Sequence, residues 1–190
     1  MVDGATSKEA GRPEPTAGEW PEQRVALLVD TQNLYYAARD LHDASVDYRS
    51  LLEVALRGRA LAHANAYVVE REGDSTAFGF FSKLSALGYR VRRRKVRVHR
   101  VGDDGAVVLE GDWDMGIAAD LVRALDHADV IALASGDGDF VPMVELAQQR
   151  GVRVEALAFR DTASQGLQDV VDRFVNLSDV GGIFLRNRGG

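Results

Sequence analysis

The sequence predicts an α/β fold, with a mostly parallel central sheet and helices on both of its faces. Two short apolar runs, Val25–Val29 and Val130–Ala134, are continuous rather than alternating, the pattern of strands buried on both faces. Segments with apolar residues at helical spacing separate the strand-like runs, and strands that alternate with helices lie parallel. Both runs lead into aspartates, Asp30 directly and Asp137 through Ser135-Gly136. In parallel sheets, sites gather at the carboxyl ends of the strands.

Taken in order, residues 1–22 are rich in Gly, Pro, Ala, Thr and Glu without periodicity, which predicts a flexible leader. A single domain is expected over 23–180, with a tail at 181–190. The first strand, Val25–Val29, is followed by helices over Leu34–Leu41 and Tyr48–Leu56. A second strand falls within 60–69, centred on Ala66–Val69. Ser75–Leu87 carries Phe78, Phe81, Leu84 and Leu87 at a spacing of three, a helix that Gly88 stops. Tyr89–Val101 alternates strongly, and Gly102-Asp103-Asp104-Gly105 is a turn into Ala106–Leu109, so a strand or hairpin is expected. Asp114–Leu125 is helical, Val130–Ala134 is a strand, and Val141–Arg150 is a helix ended by Gly151. Val152–Leu157 is a strand, Ser164–Arg173 a helix and Phe174–Leu177 a last short strand.

Composition narrows the chemistry. The chain has 190 residues and no cysteine, which excludes disulfides, thiolate metal sites and cysteine nucleophiles. The four histidines, His42, His63, His99 and His127, are scattered in sequence, so a histidine zinc site is not expected. A metal would have to be held by carboxylates, which points to Mg²⁺ or Mn²⁺. No apolar run approaches the ~20 residues of a membrane span, and no secretory signal is visible. A cytoplasmic protein is expected, and homo-oligomerisation is left open.

The net charge of −6 by itself argues against a nucleic-acid partner, but the distribution matters more. Residues 90–100 hold seven Lys/Arg and one His, whereas 103–139 hold ten Asp/Glu and one Arg. A basic stripe beside an acidic cluster suits a metal-using enzyme that acts on a polyanion. In the stripe, Arg92 and Arg94 share one parity, and Arg93, Lys95 and Arg97 share the other. Both faces are therefore charged, which suits an exposed edge strand. A solvated strand face explains the same residues equally well. Tyr89 and Trp113 are the nearby aromatic residues that could stack on bases.

Three motifs carry the acidic cluster. In Val29-Asp30-Thr31-Gln32-Asn33-Leu34, Asp30 ends a strand, and Asn33 is placed to orient water or a phosphate; a helix N-cap explains Asp30 or Thr31 equally well. In Gly111-Asp112-Trp113-Asp114-Met115-Gly116-Ile117-Ala118-Ala119-Asp120, Asp114 stands near a helix start as a metal ligand or a cap. Asp120 is read as solvated or as a residue behind the site, and Asp112 is the weakest candidate. In Ser135-Gly136-Asp137-Gly138-Asp139-Phe140, two carboxylates follow a buried strand at i and i+2, and their repulsion favours a screening cation. An Asp-Gly turn with Asp139 as cap is the alternative. Together the motifs predict Asp30, Asp114 and Asp137 as metal ligands. Asp139 is then a further ligand or the group that orients water, and Arg92, Arg93, Arg94, Lys95 and Arg97 contact the substrate backbone. A phosphotransferase with Asp-x-Asp after the first strand does not fit Asp30-Thr31-Gln32-Asn33, and no nucleotide-binding glycine pattern follows that strand.

These motifs resemble the NYN domain, in particular the LabA-like group of the PIN-like nuclease superfamily, over roughly Arg24 to Asp179. Gly151-Val152-Arg153-Val154-Glu155 and the closing Leu167, Asp172, Phe174 and Leu177 fit as well. The resemblance implies a PIN-like three-layer sandwich and metal-dependent endoribonuclease activity on RNA. Its acidic positions fall on Asp30, Asp114, Asp137 and Asp139, with Asn33 beside them. Members of the group often carry a lysine where this chain has Glu110, and some look regulatory. The alternative is therefore a non-catalytic regulatory or RNA-binding module that keeps the fold.

Overall fold

A computed structural model describes residues 20–71, 77–101, 106–110 and 113–185. Most of the expected leader, the 102–105 turn, Asp112 and the last five residues of the expected tail lie outside the described residues. Seven strands form the main sheet: β1 (Arg24–Asp30), β3 (Ala60–Arg71), β4 (Arg90–Val101), β5 (Ala106–Glu110), β6 (Val130–Ala134), β7 (Arg153–Ala158) and β8 (Arg173–Asn176). Their order is β5-β4-β3-β1-β6-β7-β8, parallel throughout except for the antiparallel β4–β5 pair. The expected α/β class with a mostly parallel sheet is therefore the observed one.

The central strands are where the continuous apolar runs placed them. Val25 to Val29 and Val130 to Ala134 are all 0% exposed, because helices cover both faces of the sheet. One face packs under α1 (Thr31–His42), α2 (Tyr48–Leu56) and α3 (Ala77–Ala86) through Leu27, Leu34, Leu51 and Leu84. The other packs under α4 (Asp114–Ala124), α5 (Val141–Gln149) and α6 (Gln165–Val170) through Leu28, Ile117, Leu121, Val144 and Leu167. Each fully buried Leu, Ile or Val contributes about 1.5–3 kcal/mol.

β1 pairs with β3 on one side and β6 on the other. The chain builds outward from β1 through β3 and β4, then returns to β1's free side with β6. Such a reversal leaves a crevice at the carboxyl ends of the two diverging strands, and those ends carry Asp30 and the Ser135–Asp139 loop.

Several element boundaries differ from expectation for local reasons. Helix α1 starts at Thr31 rather than Leu34, because Asp30 caps it by accepting the Asn33 N–H at 3.1 Å. Helix α6 stops at Val170 rather than running to Arg173. Val171 turns extended, and the Asp172 carboxylate accepts the β7 N–H of Val154 at 2.8 Å, which sends the chain into β8. Strand β3 is longer than its apolar centre, because it includes the polar residues His63 and Asn65. A two-stranded pair, β2 (Ser45–Val46) with β9 (Phe184–Leu185), has no counterpart in the sequence reading. It folds 184–185, part of the expected tail, onto the α1–α2 connection.

Strand β4 is bipartite. Arg90 to Val96 pair with β3, and Arg97 to Val101 pair with β5. Over Arg92–Lys95 the strand's outer side therefore has no strand partner among the described residues, and those four residues are exposed. This agrees with the broken alternation read from the sequence.

Candidate metal centre

Asp137 and Asp139 belong to the turn that leaves β6. Asp137 accepts the Asp139 N–H at 3.0 Å and so caps the short 3-10 turn Gly138–Phe140, which leads into α5. The alternative in which Asp139 is the cap is thus not the one realised, and the Asp139 carboxylate is exposed. The loop is held from three directions. Ser135 Oγ accepts the Asp137 N–H at 3.2 Å, Asn33 Oδ1 accepts the Gly136 N–H at 2.9 Å, and Gly136 O accepts the Ser164 N–H at 2.8 Å. Asn33, expected to orient water or phosphate, uses its amide oxygen to join the ends of β1 and β6.

The glycines here are steric requirements. A Cβ on Gly136 would stand 2.9 Å from Ala163 Cα. A Cβ on Gly138 would stand 2.6 Å from Ser164 Oγ. The loop after β7 therefore presses directly on the acidic loop. Ala163 and Ser164 were not singled out in the sequence, because nothing in their local pattern announces a contact made across the sheet edge.

Asp114 arrives on α4, whose docking is set by Trp113. The indole Nε1 donates to Val68 O at 3.0 Å, tying the helix start to the end of β3. Gly116 admits the ring, since a Cβ there would lie 2.5 Å from Trp113 Cε3. Arg94 lies over the Trp113 ring, 4.6 Å from its centroid. Trp113, considered in sequence for stacking on bases, also anchors the residue next to it.

The result is a group of three carboxylates. Asp114, Asp137 and Asp139 each offer one oxygen, and those oxygens lie within 4.8 Å of one another. All donors are hard oxygens, which fits Mg²⁺ or Mn²⁺ rather than a softer ion. Asp114 and Asp137 are half-buried, so their mutual repulsion is only partly relieved by water.

Asp30 stands outside this three-carboxylate group, beside Asp137. Burial, and then the Asp137 charge, raise its pKa above the ordinary aspartate value, against the lowering effect of the N–H groups of Asn33 and Gln32 and the Ser135 hydroxyl. It combines the cap role with a position next to the cluster.

Asp120 is not solvated. It is 7% exposed, accepts from Tyr67 OH at 2.9 Å and Asn65 Nδ2 at 3.3 Å, and pairs with Arg123 at 2.6 Å and Arg92 at 3.4 Å. Burial works to raise its pKa, but the Tyr67 hydroxyl, Arg123 and Arg92 together hold it below the ordinary value.

The basic stripe is divided between the two faces of the sheet. Arg92 reaches Asp120 and Arg94 reaches Trp113, both on the α4 face that carries the cluster. Arg93 lies over Phe81, 5.1 Å from its ring centroid, on the α3 face. Lys95 shares its parity. Arg97 is the first β4 residue paired with β5, opposite Glu110.

No helix among the described residues is long and apolar enough to cross a membrane. The model of the NYN domain family matches residues 24–178. The chain is 26% identical over 159 residues to the low amplitude and bright protein LabA of Synechococcus elongatus, covering 83% of this chain and 85% of that one. Among solved structures it is similar to a protein of unknown function from Vibrio parahaemolyticus, at 31% identity and a TM-score of 0.74, covering 87% of this chain and 98% of the other. With the parallel sheet, the β1–β6 crevice and the acidic loop in place, this chain belongs to the NYN domain family of the PIN-like nuclease superfamily.

Proposed function

We propose that this protein is a Mg²⁺- or Mn²⁺-dependent endoribonuclease that cleaves RNA phosphodiesters at the Asp114–Asp137–Asp139 centre. The observation that carries the reading is the convergence of three carboxylate oxygens within 4.8 Å at the carboxyl edge of a parallel sheet. Asp114 and Asp137 would hold the ion, and Asp139, the most exposed, is a further ligand or the group that accepts a proton from water. Asp30, half-buried beside Asp137, is the reserve ligand and keeps the local field negative. Asn33 holds the two strand ends in register. A bound divalent ion would neutralise phosphate charge and lower the pKa of its water.

RNA would approach along the α4 face of β4. Arg94 stands over Trp113, one residue from Asp114, and Arg92 is next along that face. Phosphate contacts of this kind position a strand without reading its sequence. Arg93, Lys95 and Arg97 would extend the positive field of the edge.

The test is incubation of purified protein with single-stranded and structured RNA in Mg²⁺, Mn²⁺ or EDTA, beside a D137N variant. The expected result is metal-dependent cleavage by the wild type and its loss in the variant. Equal cleavage by both would falsify the assignment. The second reading, RNA binding without turnover, is motivated by Glu110, where the resemblance to the LabA-like group implies a lysine, and by the net charge of −6. It predicts salt-sensitive binding with no metal-dependent products.

A further inference from the structure

We propose that Ser164 is a positioning residue of this centre, its hydroxyl orienting a water molecule between the Asp137 and Asp139 carboxylates. The inference rests on the ribonuclease reading above and adds a group from a different loop. Ser164 occupies the N-cap position of α6, where a serine ordinarily turns its hydroxyl onto the helix's own N–H groups. Here the side chain makes no such cap bond. It lies instead against Gly138, the residue between the two aspartates, so closely that a Cβ on Gly138 would meet Ser164 Oγ at 2.6 Å and Ser164 Cβ at 3.0 Å. The Ser164 N–H, donated to Gly136 O at 2.8 Å, fixes the backbone that carries it beside the acidic loop. Its neighbour Ala163 is pressed on Gly136 in the same way.

The chemistry of the neighbours gives this hydroxyl a distinct part. Ionised carboxylates only accept hydrogen bonds, whereas a hydroxyl both donates and accepts. A water beside three carboxylates can give them its protons, but they cannot donate to its lone pair. Ser164 can, and a donor at that position fixes the orientation of the water while a carboxylate takes its proton. Asp139 is the exposed carboxylate suited to take the proton.

The test compares wild type with S164A, which removes the oxygen and introduces no clash. Three quantities are read: RNA cleavage kinetics, melting temperature, and Mn²⁺ binding followed by water-proton relaxation. The expected result is a kcat lower by roughly 10- to 100-fold, less than the ~10²–10⁴-fold of a group that itself transfers the proton, because Ser164 only orients the water. KM, melting temperature and Mn²⁺ affinity should be unchanged within about twofold or a degree or two, while the relaxation enhancement of bound Mn²⁺ changes. Retained kcat with unchanged relaxation overturns the proposal. So does a kcat loss matched by a loss of Mn²⁺ affinity or of melting temperature, which marks a merely structural serine. If the wild type binds Mn²⁺ but cleaves nothing, the ribonuclease reading fails and the relaxation comparison alone decides for or against Ser164. If it binds no Mn²⁺, both readings fall.

Discussion

Asp30 is half-buried and Asp120 is buried, and their surroundings drive them in opposite directions. Asp30 lies beside Asp137, and burial and that neighbouring charge raise its pKa. Asp120 lies among Tyr67, Asn65, Arg92 and Arg123, and its pKa is held low despite burial. The first region sets carboxylates beside one another, with backbone N–H groups donating to Asp30 and Asp137. The second neutralises its charge within the fold. Repulsion between neighbouring carboxylates costs stability and is retained where function needs it; a satisfied network serves to hold α4 onto β3 and β4.

Five experiments test that contrast. The largest effect is expected from D137N, which should lower RNA cleavage about a thousandfold, several kcal/mol of barrier. Its melting temperature without metal should be equal to or above that of the wild type, because a repulsion is removed. A marked drop in thermal stability would mean that Asp137 serves the fold more than the site.

D120A should do the reverse. It strands the buried Tyr67 hydroxyl and Asn65 amide and is expected to cost about 3 kcal/mol in denaturant unfolding, with cleavage changed only a few-fold. Because the folded pKa of Asp120 lies below that of an unfolded aspartate, its contribution is complete above about pH 4 and is lost as pH falls through the folded value. The stability difference between D120A and wild type should therefore shrink in acid, and a difference that grew there would overturn the assignment of its partners.

Mn²⁺ at about a hundredfold excess over its dissociation constant should stabilise the wild type by about 2.7 kcal/mol and leave D137N nearly unmoved, as read by thermal melts. G136A drives a methyl into the Ala163 backbone and should cost about 1–3 kcal/mol. The smallest effect concerns the basic strand. R94A, on the α4 face, should weaken RNA binding by about 3- to 10-fold with a shallower salt dependence, whereas R93A, on the α3 face, should change it less. Equal losses would show that the strand acts only as a diffuse field.

Much of the fold was legible because its signals are local. The runs at 25–29 and 130–134 contain only apolar residues, and such runs, too short for a membrane span, are strands that water never reaches. Asp30 and the Gly136-Asp137-Gly138 turn follow directly, so their place at the carboxyl edge came from connectivity alone. The interrupted alternation of Arg92–Lys95 foretold an outer strand for the same reason. By contrast, β2 and β9 have two residues each, too few to carry a period, and they exist only because distant segments meet. The end of α6 was likewise set by a partner in β7 rather than by its own sequence.

By itself, then, the sequence determined the parallel α/β order, the two central strands and the presence of aspartates at their ends, since burial and chain direction are written in neighbouring residues. Only the tertiary structure decided which aspartates converge. It set Asp114, Asp137 and Asp139 together, placed Asp30 beside them as a cap, and tied Asp120 into an ion network. It also divided Arg92 and Arg94 from Arg93, and brought Ser164 against Gly138. The physical reason is that convergence depends on how helices and loops dock across the sheet edge, through contacts such as Trp113 on Val68 and Ala163 on Gly136, and those are made between residues far apart in the chain.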